Sequence, residues 1–213
     1  RVEPEAIRYF MMTVHYRAPL NLDWTLDEAG NVTGFPQFEE AERRVAYVYK
    51  TKQRLTELPQ KRIVEGEAPV PAELAGFQDA LRGALDDDLN MPVALAKLAD
   101  FLKGVNELCD QAMRKKGKAA RAAVDAAKAG FGALAEELGI GAQDPDAVLR
   151  RIRDRRAADR GLDASWVEER IAARAAARAA KAFAEADRIR DELAARGVEL
   201  LDRADGTGWT IED

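Results

Sequence analysis

Apolar residues recur at helical spacing along most of the chain. Near its start, Phe10 and Met11 follow Ile7 by three and four positions, which is the repeat of one face of an α-helix. Pro4 suits the first turn of this helix, and Pro19 ends it. The same spacing predicts further helices over about 37–58, 72–85, 90–114, 118–138, 145–158, 163–180 and 183–196.

The apolar pattern changes near the end of the chain. Gly197 stops the last predicted helix, as glycine commonly does. Residues 198–201 then form a short strand, Asp205-Gly206 is a strong signal for a hairpin turn, and 209–211 form the return strand. A lone two-stranded hairpin is marginal in water, so we expect this one to pack on the preceding helices.

These patterns together predict a mainly α fold, in which a helical bundle is followed by a small α-helical domain that ends in a β-hairpin. The predicted domains are a first helical segment over 1–22, the bundle over 23–160 and the C-terminal domain over 161–213. Within them, 21–36 is predicted to be irregular because it concentrates Gly, Asn and Asp. Residues 59–71, with three prolines and a glycine, are predicted to be a linker.

The composition agrees with a helical protein, and the sequence shows neither a membrane helix nor the start of a signal peptide. Charged residues make up 33% of the 213 and aromatic residues 7%, and Ala, Leu, Glu, Arg and Lys all favour helix. No stretch approaches the roughly 20 apolar residues of a membrane helix, and Arg1-Val2-Glu3-Pro4 does not begin a signal peptide. We therefore expect a cytoplasmic protein with no membrane partner. Because the sequence does not begin with Met, we also expect a piece of a longer protein.

Candidate catalytic and metal-binding residues are few. The chain has one cysteine, Cys109, and one histidine, His15, whereas a structural zinc site needs about four ligands, usually Cys or His. The net charge of −5 does not favour a nucleic-acid partner, although the distribution of charge matters more than its sum. We predict no catalytic, cofactor or metal site in this chain.

Three segments carry more specific motifs. The first is Ala6-Ile7-Arg8-Tyr9-Phe10 followed by His15-Tyr16-Arg17-x-Pro19-Leu20, and the second is Asp86-Asp87-Asp88-Leu89-Asn90-Met91-Pro92-x-Ala94-Leu95. The third lies within 171–209 and includes Ile171, Arg174, Ala177-Arg178, Lys181, Phe183, Ala186-Asp187, Ile189-Arg190-Asp191, Leu193, Gly197-Val198, Leu200, Asp202, Gly206-Thr207 and Trp209.

In this order, the three segments resemble motifs of the cysteinyl-tRNA synthetases. The first is similar to the family's RYF…HYR-x-PL helix, which follows the KMSKS loop, and the second to DDDFNTP-x-AL. The third is similar to the C-terminal pattern I-x-x-R-x-x-AR-x-x-K-x-F-x-x-AD-x-IRD-x-L. Two features depart from the family: 21–37 is longer and richer in glycine than the usual connection, and Met91 replaces the usual Thr.

The resemblance implies a DALR-type helical bundle followed by an anticodon-binding domain, with 1–22 as the helix that follows the catalytic domain. For a full-length enzyme it implies attachment of cysteine to tRNA, with ATP and zinc. The catalytic signatures are absent here, so the chain alone is predicted to be an inactive part of the ligase with no cofactor. Its expected partners are the anticodon stem-loop of cysteine tRNA and the enzyme's own catalytic domain.

A cationic stripe is the first candidate for tRNA binding. Arg170, Arg174 and Arg178 are spaced by four and share one helix face, and Lys181 follows them. No acidic residue lies between Glu169 and Glu185, and such a stripe suits a phosphate backbone. Alternatively, these cations pair with acids on a neighbouring helix or are solvated.

The predicted hairpin is the second candidate. Anticodon bases are read by stacking on aromatic rings and by hydrogen bonds to base edges. Trp209 offers a ring, while Asp202 and Asp205 offer acceptors for the N–H groups of a guanine, which the resemblance implies in the anticodon. Alternatively, Trp209 packs the hairpin on its helices and Asp205 is only a turn residue.

Two other functions are compatible with a helical chain. One is a structural helical module that mediates protein contacts without binding nucleic acid. The other is a related ligase that joins cysteine to a small sugar amine. Because such ligases lack the anticodon-binding tail, the resemblance over 171–209 argues against the second.

Overall fold

The computed structural model of the protein describes residues 2–66, 68–203 and 206–211. Helix dominates this part of the chain, which confirms the mainly α prediction. The α-helices are α1 (Pro4–Met11), α2 (Pro36–Thr56), α3 (Ala72–Ala75), α4 (Phe77–Asp86), α5 (Met91–Met113), α6 (Arg121–Leu138), α7 (Pro145–Asp159), α8 (Ala164–Ala179) and α9 (Phe183–Ala194). None of these helices is both long enough and apolar enough to cross a membrane.

The described part of the chain also contains three pairs of short strands. The pair β1 (Thr25–Leu26) and β2 (Val32–Gly34) is antiparallel, and the pair β3 (Ile63–Val64) and β4 (Ala119–Ala120) is parallel. The predicted C-terminal hairpin is confirmed: β5 (Val198–Arg203) runs antiparallel to β6 (Gly206–Ile211). The first two pairs were not predicted, because strands of two or three residues are too short to show an alternating pattern.

The chain divides into two compact units, Arg1–Leu149 and Arg150–Asp213. The domain boundary predicted at residue 160 stays a prediction, and the division between the two compact units falls after residue 149, within α7. The physical reason lies in α7, whose Ala157 is fully buried in the same apolar cluster as Leu162 and Val167. The second half of α7 therefore belongs to the C-terminal unit.

Aromatic rings form the centre of the N-terminal unit. The rings of Phe77 and Phe101 are stacked with centroids 4.2 Å apart, and Phe131 meets Phe101 edge-on at 5.2 Å. These residues come from α4, α5 and α6, so the cluster joins three helices. Cys109 of α5 is buried nearby in the same core. Burial raises the pKa of its thiol to about 11, which keeps it protonated at neutral pH.

Local signals set the ends of several helices. Asn90 caps α5, because its side-chain oxygen accepts a hydrogen bond from the backbone N–H of Val93. Gly139 ends α6 with a φ of 64°, which is the left-handed conformation that glycine adopts without strain. Asp163 caps α8 by accepting from the backbone N–H of Ser165 at 2.9 Å.

A buried carboxylate fixes α1 to the rest of the N-terminal unit. Glu5 accepts hydrogen bonds from the Tyr49 hydroxyl at 2.7 Å, the Gly141 N–H at 3.0 Å and the Gln143 side-chain amide at 3.0 Å. Burial and the hydrogen bond to Glu5 both raise the pKa of Tyr49. Since buried charges persist only when they are hydrogen-bonded, this network specifies how α1 joins α2 and the segment after α6.

The C-terminal unit has its own apolar cluster. Val198, Trp209 and Ile211 of the β5–β6 hairpin are buried together with Ile189 and Leu193 of α9. This confirms that the hairpin packs on the preceding helices. Burial against helices supplies the stability that an isolated hairpin lacks.

Candidate nucleic-acid interface

The cationic stripe of α8 is only partly directed at solvent. Arg170 donates a hydrogen bond from Nη2 to Glu192 of α9 at 2.7 Å, so the alternative of pairing with a neighbouring helix holds for this residue. Arg174 is half-buried and Arg178 is exposed, and both have interactions within the protein. The structure therefore places Arg174 and Arg178 on the helix that leads to the α8–α9 turn, with Arg178 at its exposed end.

The α8–α9 turn presents a lysine and an aromatic ring. The Lys181 N–H donates to Arg178 O at 3.1 Å and the Ala182 N–H to Ala177 O at 2.9 Å, which is the hydrogen-bond pattern of a Schellman C-cap. Lys181 occupies its left-handed position with a φ of 59°, where glycine is usual. Phe183 begins α9 and is 61% exposed. An unburied phenylalanine beside two exposed cations is a suitable surface for stacking a base.

The sequence reasoning did not assign Phe183 to the site. Phe183 belongs to the third motif, yet it attracted no role because sequence alone does not show exposure. A usable signal was present: Phe183 directly follows the acid-free cationic stripe and begins a helix whose apolar stripe, Ala186, Ile189 and Leu193, is complete without it.

Trp209 is buried rather than presented to solvent. Only 5% of it is exposed, and the guanidinium carbon of Arg153 lies 4.0 Å from the centroid of its ring. At Trp209 the structure thus shows the packing arrangement that the sequence left open as an alternative. Asp202 lies in β5 opposite Thr207, and Asp205 lies outside the described residues.

Ion pairs compensate many cations of the C-terminal unit. Arg188 pairs with Glu185 at 2.7 Å, and Arg190 with Asp191 at 3.2 Å. The hydrogen bonds and charge of Arg188 lower the pKa of Glu185. Because these pairs are exposed, they contribute little to stability.

Two of the sequence motifs meet in the N-terminal unit. Asp88 accepts hydrogen bonds from the Tyr16 hydroxyl at 2.8 Å and from Arg17 Nη2 at 2.9 Å, and His15 Nε2 lies 3.6 Å from its carboxylate. Asp88 and Leu89 both have a φ of 53°, an uncommon conformation for residues other than glycine. Over the described ranges, no three His, Cys, Asp or Glu residues form a group that could hold a metal ion.

Comparisons with known proteins agree with these motifs. The sequence profile of the DALR domain matches residues 80–143. A cysteine–tRNA ligase of Anaeromyxobacter dehalogenans (strain 2CP-1) is 40% identical over 212 residues, which cover 100% of this chain and 40% of that protein. Those of Nitratidesulfovibrio vulgaris (strain DSM 19637) and Geotalea uraniireducens are 34% and 30% identical, over 98% and 100% of this chain and 41% and 43% of their own length. The chain thus spans about two fifths of the length of these curated relatives.

Proposed function

We propose, from the similarity of the whole chain to cysteine–tRNA ligases and the match to the DALR domain, that it is the portion of such a ligase that binds tRNA and recognises the anticodon. The observation that carries the proposal is homology along the whole chain, including the C-terminal unit that follows the DALR domain. In the full ligase, this portion would position the tRNA while cysteine is attached to it with ATP.

The proposed interface is the surface of α8, the α8–α9 turn and the hairpin. Arg174, Arg178 and Lys181 supply positive charge for the phosphate backbone, which gives most of the affinity and makes it salt-dependent. Phe183 supplies an exposed ring on which a splayed base can stack. Asp202 and Asp205 remain candidates for base edges, because a carboxylate accepts from the N–H groups of guanine.

The proposal assigns no catalytic or cofactor-binding role to the residues of this chain. ATP and zinc are proposed for the full ligase only. The chain's own residues bind and orient RNA.

Direct binding measurements test the proposal. Fluorescence anisotropy of labelled cysteine tRNA should show binding that weakens steeply as salt rises, because phosphate contacts release counterions. A cysteine tRNA with a swapped anticodon should bind more weakly. Equal affinity for both tRNAs would contradict anticodon recognition, and the absence of salt-dependent binding would favour the structural protein-interaction module instead.

Phe183 gives the first specific prediction. Phe183→Ala should reduce the free energy of tRNA binding by roughly 1–3 kcal/mol, the contribution of one base–aromatic stack. Because the ring is exposed, stability should change by less than about 0.5 kcal/mol. Trp24→Ala is the matched control, since Trp24 is 59% exposed but lies in the N-terminal unit, and it should leave affinity unchanged. Equal losses in both variants would argue against stacking on Phe183.

A further inference from the structure

The β1–β2 hairpin of the N-terminal unit exposes large apolar side chains to solvent. Trp24, Leu26 and Val32 are 59%, 54% and 53% exposed. Leu26 and Val32 are direct partners in the register of the two strands, so their side chains share one face. Trp24 lies two positions before Leu26, and the alternation of a strand places it on the same face. Contiguous exposed apolar side chains mark interaction sites in soluble proteins.

Hydrogen bonds within the hairpin hold this apolar face in one conformation. In the turn, the Asp27 carboxylate accepts from the backbone N–H groups of Ala29 at 2.9 Å and Asn31 at 2.8 Å. Between the strands, the hydroxyl oxygens of Thr25 and Thr33 are 2.9 Å apart and hydrogen-bonded. A surface that is already ordered loses little conformational entropy when a partner binds to it.

A pocket between α1 and α2 adjoins the hairpin. Its volume is about 510 Å³, and Phe10 and Ala41 are buried apolar residues in its lining. Gln37 lines the pocket and joins it to the hairpin, because its side-chain amide donates to the Asp23 carboxylate at 2.6 Å and accepts from the Asp23 N–H at 3.3 Å. Since Asp23 directly precedes Trp24, the pocket and the apolar face form one continuous surface, which we call the hairpin–pocket surface.

The hairpin–pocket surface is acidic. Between Arg17 and Arg43 the sequence has no Lys, Arg or His, whereas Asp23, Asp27, Glu28, Glu39, Glu40 and Glu42 all lie in this interval. Glu42 is buried, and Glu40 pairs with the two arginines that follow it. The other four are exposed, and no ion pair joins them to a cation in the part of the chain that the structure describes.

This charge selects the kind of partner. Exposed carboxylates repel a phosphate backbone and attract cations, which favours a basic protein over RNA. The Glu39 carboxylate lies against β2, since its Oε1 is 2.9 Å from the position of a Cβ added at Gly34. A cation bound there would therefore lie next to the apolar face. A pocket that continues into an open face suits a side chain together with its flanking backbone, whereas small ligands are usually enclosed on most sides.

We propose that the hairpin–pocket surface docks a protein segment in which Lys or Arg residues flank an apolar side chain. The apolar side chain enters the pocket against Phe10 and Ala41, the cations pair with Glu28 and Glu39, and Trp24 packs on the segment from the hairpin. Tryptophan is enriched in the centres of such interfaces. The surface lies outside residues 80–143, which match the DALR domain, and the proposal does not rest on RNA binding.

A library of random short peptides displayed on phage tests the chemistry of the partner. Selection on the whole chain, after depletion on the variant Trp24→Ser, isolates the peptides that need the hairpin. The selected peptides should carry Lys or Arg on both sides of an apolar residue. Selected peptides without excess positive charge would overturn the proposal, and so would a library that yields no peptide dependent on Trp24.

Affinity measurements with a selected, fluorescently labelled peptide test the residues. Trp24→Ser should weaken binding roughly tenfold or more, and Glu28→Gln combined with Glu39→Gln should weaken it about two- to tenfold and reduce its salt dependence. Met113→Ser is the matched control, because Met113 is 57% exposed in the same unit, and it should leave affinity unchanged. All these side chains are exposed, so circular dichroism should show the same helix content throughout. Equal affinities of Trp24→Ser and Met113→Ser would overturn the proposal.

Two further measurements distinguish other occupants of the surface. Sedimentation velocity at rising concentration should show no dimer that depends on Trp24, and a dimer lost in Trp24→Ser would make a second copy of the chain the occupant instead. Excess tRNA should not displace the peptide, and competitive displacement would place RNA on this surface and overturn the proposal. The tRNA measurements of the proposed function concern the C-terminal unit, so either proposal can fail while the other stands.

Discussion

At the residue scale, the core of the N-terminal unit depends on the absence of one side chain. A Cβ added at Gly130 of α6 would lie 2.4 Å from Cε2 and 2.6 Å from Cζ of Phe101. Phe101 is itself packed between Phe77 and Phe131, and protein interiors are close-packed, so the ring cannot yield without disturbing its neighbours. Gly130 thus provides space, although glycine is unfavourable within a helix.

Gly130→Ala should therefore lower the free energy of unfolding by about 1–3 kcal/mol, because overpacking outweighs the better helix propensity of alanine. Gly132 is the matched control in the same helix, since a Cβ there meets nothing within 4 Å. Gly132→Ala should raise stability by roughly 0.5–1 kcal/mol. Urea unfolding followed by circular dichroism measures both, and effects of the same sign would contradict the steric role of Gly130.

At the scale of the element, the α8–α9 turn holds an exposed lysine, Lys181, in a strained backbone conformation. Its hydrogen bonds form a complete Schellman cap, yet the left-handed position holds Lys181 rather than glycine. A side chain in this conformation costs about 1–2 kcal/mol, and residues held in unfavourable backbone conformations cluster at functional sites. The arrangement is consistent with a lysine that is retained for its charge at the proposed RNA surface.

Lys181→Gly should stabilise the C-terminal unit by about 1 kcal/mol, because glycine adopts the left-handed conformation without strain. The same change should weaken tRNA binding and reduce its salt slope by about one, since one phosphate contact is lost. Lys181→Asn separates the two effects: asparagine tolerates this conformation partly and carries no charge. Thermal unfolding and anisotropy measure them, and unchanged affinity in both variants would remove Lys181 from the interface.

At the scale of the whole molecule, each unit has a hydrophobic cluster of its own. Phe101 and Leu134 belong to the cluster of the N-terminal unit, and Ile189, Leu193 and Trp209 to that of the C-terminal unit. A unit with its own core can unfold as its own cooperative transition. Unfolding of the chain is therefore expected to show more than one transition.

Leu193→Ala should destabilise the C-terminal unit by about 2–5 kcal/mol, the usual cost of such a truncation at a fully buried position. Tryptophan fluorescence reports mainly on this unit, because Trp166 and Trp209 pack in its cluster. The fluorescence transition should move to lower urea while most of the helical signal does not. Leu134→Ala is the reciprocal control, and equal shifts of both signals in both variants would show that the chain unfolds as one unit.

Local pattern alone determined much of the fold. The helical repeat predicted the long helices, Gly197 marked the end of the last one, and Asp205-Gly206 predicted the terminal hairpin. These features depend on residues a few positions apart, which is the range over which side-chain periodicity and capping act. The three ordered motifs also indicated cysteine–tRNA ligases, the proteins to which the chain is similar along its whole length.

The candidate site was only partly predictable. The sequence located the cationic stripe and the hairpin. It did not show how exposed the side chains of Trp209 and Phe183 are. An aromatic ring is equally suited to packing and to stacking, and which role it takes depends on what else lies against it. The structure buries Trp209 under Arg153, a residue 56 positions earlier in the chain, and leaves Phe183 exposed. The assignment to tRNA stays a prediction for all six proposed residues: Arg174, Arg178, Lys181, Asp202, Asp205 and Trp209.

The sequence by itself determined the helices, the terminal hairpin and the family, because each is written in short-range pattern or in ordered motifs. Only the tertiary structure decided which residues meet. Asp88 contacts Tyr16 and Arg17 across 72 and 71 positions, and Arg153 of α7 lies over the ring of Trp209 in β6. Such contacts follow from the packing of whole elements against one another, and no local repeat encodes the outcome of that packing.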